Sequence, residues 1–152
     1  MQFVIVFLGS IKNDPRTTGN NANFILLMKL FTIQEANALL PSVRDILLRM
    51  KRSRQRLAAH SSEAKLAAEN AEQGGGGMVN GHVYAQILTS FTSEMGELDS
   101  LGVQLKDFER GLIDFPSLRD GRVVLLCWQL GEGDELEWWH DVDAGFAGRT
   151  PL

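Results

Sequence analysis

Four consecutive glycines, Gly74 to Gly77, set the strongest constraint on this chain. Glycine loses more backbone freedom on ordering than any other residue, so four in a row end any helix that reaches them. What precedes them reads as helix. From Thr32 onward, Ala36, Val43, Met50, Leu57, Ala64 and Ala71 recur along one line at heptad spacing, and Leu39, Ile46, Ser53, His60 and Ala67 along a second. Thr32-Ile33-Gln34-Glu35 has the form of a capping box. Pro41 predicts a kink, or a short helix ending near Leu40 with Pro41 opening the next. Beyond the glycines, Asn80 is placed to cap a second helix. Its apolar line reads Tyr84, Ile87, Phe91, Glu94, Leu98 and Leu101, widened by Leu88 and Met95, and Gly102 closes it. Each helix carries one apolar stripe, so an antiparallel hairpin is expected, with helical regions 32–73 and 82–101 around a linker at 74–81. The alanine-lined far half of the first helix suits close approach by the second helix or by a second chain.

After Gly102 the apolar period shortens to two. Val103–Lys106, Leu112–Phe115, Arg122–Leu130 and Glu135–His140 read as strands of a three- or four-stranded antiparallel meander over 103–140, followed by a tail at 141–152. Pro116 to Gly121 reads as a connection, and Gly131-Glu132-Gly133-Asp134 as a hairpin turn. Pairing across that turn sets Leu130 opposite Glu135, Cys127 opposite Trp138 and Leu125 opposite His140. One face then carries Val123, Leu125, Cys127, Trp138 and His140; the other carries Val124, Leu126, Trp128, Leu130 and Trp139. Both are apolar, and a helical hairpin covers only one. The second face is expected to meet another subunit, another segment or a ligand, and a homodimer is the simplest solution. The fold class is α+β.

A chain of 152 residues, 44 % apolar and 22 % charged, suits one domain, here 28–152. Residues 1–27 are expected to be an extension outside that core, with one edge strand plus a loop as the alternative. Fifteen Lys and Arg against 19 Asp and Glu give a net charge of −4, which excludes a generally basic nucleic-acid coat. A single cysteine, Cys127, leaves no internal disulfide and no multi-cysteine zinc module. No apolar run approaches bilayer length, so the cytoplasm is the expected compartment and no membrane partner is implied. Charge is unevenly placed. Residues 44–56 hold six basic side chains against Asp45, and residues 107–143 hold ten acids against Arg110, Arg119 and Arg122. The first reading is that one end of the fold meets the other. Nucleic-acid binding through the basic helix at 49–56 is the alternative, disfavoured by the lack of interleaved aromatics.

The stretch Trp138 to Arg149 gathers an imidazole, carboxylates and a guanidinium beside two indoles. Asp114, Trp139, His140, Asp141 and Arg149 are the candidate ligand-binding residues, suited to a small anionic ligand. An enzyme built from them would use His140 as general base, Asp114 or Asp141 to orient it, and Arg149 to hold an anionic substrate. A metal would be held by Asp114, His140 and Asp143. A purely structural role suits the same atoms, with His140 hydrogen-bonded at a strand end and Arg149 pairing with an acid to pin the tail. Cys127, mid-strand on an apolar face, reads as a small buried hydrophobe. No spacing specifies a cofactor.

Several separated motifs resemble one family. Phe31-Thr32-Ile33-Gln34-Glu35-Ala36-Asn37-Ala38-Leu39-Leu40-Pro41 is similar to its opening, and Gly111-Leu112-Ile113-Asp114-Phe115-Pro116 to its middle. Leu126-Cys127-Trp128, Gly131-Glu132, Trp139-His140 and Gly145-Phe146-Ala147-Gly148-Arg149 before Pro151 resemble its close. This is the bacterial family called domain of unknown function 2203, and the likeness runs from about Met28 to Leu152. The resemblance implies no activity, substrate or cofactor. Some members carry a loose label of cell-division initiation protein. The likeness supports treating the carboxy-terminal motif as the family's site.

Overall fold

The computed structural model describes residues 28–152 apart from 73 and 76, so the expectations for 1–27 fall outside the described residues. Helix α1 spans Ile33–Ala59, α2 Ser61–Ala71 and α3 Gly81–Ser100. Five strands follow: β1 Gln104–Asp107, β2 Leu112–Arg119, β3 Arg122–Gln129, β4 Trp138–Asp141 and β5 Thr150–Pro151. They form one antiparallel meander in chain order. The α+β class and the helical hairpin are as the sequence predicts.

The capping box forms. The amide of Glu35 donates to Thr32 Oγ1 at 3.1 Å, and the amide of Thr32 donates to Glu35 Oε2 at 2.8 Å. The bonds from Thr32 hold the Glu35 carboxyl below the usual carboxylate range. α1 does not end at Leu40 but runs on through Pro41. Pro41 lies on the exposed face, where water can meet the carbonyl that its ring leaves without an amide. The break falls at His60 instead, dividing the expected 32–73 helix into α1 and α2.

The predicted seams pack as far as Ser53, beyond which Leu57, His60, Ala64 and Ala67 are only half-buried and Ala71 is exposed. Ala36, Val43, Ile46, Met50 and Ser53 of α1 are buried, as are Ile87, Glu94 and Leu98 of α3. Leu88 and Met95, expected to widen the α3 stripe, are exposed. Leu40 and Leu47 of α1, off both seams, join the sheet's inner face of Ile113, Phe115, Leu126 and Trp128 in one core.

Three corrections concern the sheet. β2 continues through Pro116 to Arg119, because β1 pairs only with residues 112–114 and the missing amide falls beyond β1's reach. The freed edge is used: the Phe31 amide donates to the Pro116 carbonyl at 2.8 Å. The β2–β3 turn is the two-residue pair Asp120-Gly121, both at positive φ. The register expected across the next connection holds, with Cys127 opposite Trp138 and Leu125 opposite His140, but Leu130 and Glu135 are not paired. Residues 130–137 leave the sheet to fold over the core. Trp128 Nε1 donates to the Gly133 carbonyl at 2.9 Å, the Leu136 amide donates to Asn37 Oδ1 at 2.8 Å, and Leu136 is buried. Finally, the expected tail supplies a fifth strand against β4. No helix among the described residues is long and apolar enough to cross a membrane.

Candidate functional site

Strand alternation sends Leu112, Asp114, Leu125, Cys127 and His140 to the sheet face away from the helices, and all five are buried within the single chain. Asp114 sits opposite Cys127, while His140 lies one pair along on β4. One carboxylate oxygen, the thiol sulfur and one imidazole nitrogen come within 4.8 Å of one another.

The hydrogen bonds fix the imidazole's orientation. Nδ1 of His140 lies 2.8 Å from the carbonyl oxygen of Asp141. A carbonyl only accepts, so Nδ1 carries the hydrogen and donates. Nε2 then faces Asp114 Oδ1 at 3.4 Å. Asp114 Oδ2 has Lys106 Nζ at 3.8 Å. Arg149 closes the cluster from the carboxy-terminal segment. Its Nε donates to Cys127 Sγ at 3.1 Å, and its Nη1 pairs with Glu132 Oε1 at 2.5 Å. Burial pushes the Cys127 thiol up to about 12; the Asp114 charge and hydrogen bond add to this, and Arg149 opposes it. Even with Arg149 beside it, the sulfur stays protonated at neutral pH.

The predicted set divides. Asp114, His140 and Arg149 converge. Trp139 points to the other face, against the helical core, with Nε1 donating to the Pro151 carbonyl at 3.2 Å. Asp141 contributes its carbonyl, while its carboxylate is exposed and pairs with Arg122 at 3.1 Å. Asp143 is exposed and outside the cluster, and Cys127 occupies the third place. Arg149 pins the tail to Glu132, the structural role open to it from the sequence. Cys127 was missed although it shares His140's face in the expected pairing. Counting back from the Asp120-Gly121 turn would have set Cys127 opposite Asp114, already among the predicted residues.

Charge asymmetry also resolves into contacts. Arg44 pairs with Asp134 at 2.7 Å, Arg49 with Glu97 at 2.5 Å, and Arg54 with Glu109. The basic helix therefore meets acids of the hairpin and the sheet connections. A groove of about 660 Å³ lined by Phe31, Ile33, Leu118, Leu126 and Leu152 lies elsewhere, and none of the cluster residues lines it.

These features define a class: a small α+β protein with a helical hairpin on one face of a five-stranded meander and a closed Asp–Cys–His cluster on the other. The chain belongs to the family DUF2203, described as uncharacterized conserved protein, whose model matches residues 29–152. A search of the curated proteins and of the solved structures finds no match.

Proposed function

We propose that this protein is a binding module whose small ligand is held on the outer sheet face by Asp114, Cys127 and His140, with Arg149 closing over it. One observation carries the reading: the three groups converge at exposures of 1 %, 0 % and 3 %. A carboxylate, a thiol and an imidazole buried at one point supply a ready set of ligand-binding atoms. The enzyme alternative, with His140 as general base and Arg149 on an anionic substrate, needs both in a cleft that a substrate can enter. Arg149 is engaged with Glu132 and Cys127, and the imidazole is enclosed, so binding is favoured over catalysis. Native mass spectrometry of the chain purified without chelator tests this. The wild type is expected to carry mass above the bare polypeptide, and His140→Ala to lose it. A bare wild-type mass that stays bare when divalent metal is added would remove the reading.

A homodimer belongs to the same proposal, formed through the helical arm. α2 has no buried residue, and its Leu66 stands 57 % exposed.

A further inference from the structure

We infer that the ligand of this site is a thiophilic divalent metal ion of the zinc class, bound by Asp114, Cys127 and His140. The inference rests on the binding reading above and names its ligand.

Geometry comes first. Zinc–nitrogen and zinc–oxygen bonds of roughly 2.0–2.1 Å at tetrahedral angles place two such ligand atoms about 3.3 Å apart. His140 Nε2 and Asp114 Oδ1 are 3.4 Å apart, with the Cys127 sulfur inside the same 4.8 Å circle. The outer hydrogen bond is an independent observation. A metal-ligating histidine almost always donates its other ring N–H to a carboxylate or a backbone carbonyl, which fixes the tautomer and aims the free nitrogen at the ion. His140 does this through Nδ1 to the Asp141 carbonyl at 2.8 Å.

Charge and donor type select the metal. Binding displaces the thiol proton to solvent, leaving one thiolate, one carboxylate and a neutral imidazole, whose charge of −2 cancels that of the ion. Arg149 and Glu132 neutralise each other beside it, Lys106 at 3.8 Å from Asp114 Oδ2 holds its charge on an exposed side chain at the edge, and the Arg149 Nε–H remains a donor to the sulfur. A buried site tolerates such a balanced set where it would not tolerate a net charge. Sulfur and nitrogen donors exclude calcium and magnesium, which take oxygen ligands. Three protein ligands leave a fourth position for water or a small anion.

The test uses the full 152-residue chain. Apo-protein is titrated with Zn2+ against a chromophoric chelator, and with Co2+ while the visible spectrum is recorded. One ion per chain is expected, with tetrahedral cobalt bands and a sulfur-to-cobalt charge-transfer band. Cys127→Ser keeps the size of the side chain and is expected to abolish that band. Asp114→Asn and His140→Gln should each weaken Zn2+ binding by more than the roughly 10–100-fold seen when an outer partner of a metal is lost. Circular dichroism confirms that each variant is folded. Wild-type binding no tighter than that of the variants, or cobalt binding without the sulfur band, would overturn the inference. An organic adduct lost in His140→Ala, with no metal, overturns the metal and leaves the binding reading standing. A bare chain that also takes no metal overturns both.

Discussion

Glu94 shows at the scale of one residue how a heptad position can be occupied against its own chemistry. It lies on the buried seam of α3 at 7 % exposure, where Ser53 Oγ donates to its Oε1 at 3.2 Å. Its second oxygen, Oε2, is buried without a hydrogen-bond partner. An unsatisfied buried acceptor costs about 1–3 kcal/mol, whereas an apolar group of similar length leaves nothing unpaired. Ser53 would lose its partner but can turn its hydroxyl to the carbonyl one helical turn back. Glu94→Met is therefore expected to raise stability by roughly 1–3 kcal/mol, read as a higher urea midpoint at unchanged slope. A lower midpoint would mean that the carboxylate holds something the seam needs.

At the scale of elements, legibility followed the nearness of the signal. The capping box, both seams and the β3–β4 register were readable because each depends on residues close in sequence. Pro41 misled because its effect depends on which way it faces. Outward, it costs one solvated carbonyl; inward, it would have broken α1. The 130–137 segment misled because Gly131-Glu132-Gly133-Asp134 has tight-turn composition, while Trp128 and Asn37 offer it better partners across the fold. The site was legible in part for the same reason: Asp114, His140 and Arg149 were readable as candidates, but Cys127 joins them only through strand pairing. Gly111 makes a further consequence testable. It sits at φ +63°, and an added Cβ would lie 2.7 Å from Leu130 Cβ. Gly121 is at φ +76° with no atom within 4 Å of such a Cβ. Both alanine variants carry the left-handed backbone cost of about 1–2 kcal/mol. Gly111→Ala is expected to lose roughly 1–3 kcal/mol more through overpacking. Equal thermal midpoints for the two variants would show that Leu130 yields freely.

The whole molecule is unevenly stabilised, and the unevenness bears on how many chains assemble. The sheet's outer face supplied the first argument for a dimer, yet Leu112, Leu125, Cys127 and His140 are buried in the single chain, with Arg149 lying on Cys127. That face no longer requires a second copy. The proposed dimer therefore rests on the helical arm. An isolated helix of 11 residues is marginal in water, and α2 buries none of its side chains, with Leu66 57 % exposed. Leu88 and Met95, two turns apart on α3, are exposed as well. A second copy laid over the face that carries Leu66 would supply the missing contacts. Sedimentation of the full chain is then expected to give about twice the 16.9 kDa of one chain. Leu66→Glu should return it to a single chain while the thermal unfolding of the sheet and α1–α3 core stays in place. A wild-type monomer would remove the dimer. A dimer indifferent to Leu66→Glu would move its interface away from α2 and back to the sheet or the exposed side of α3.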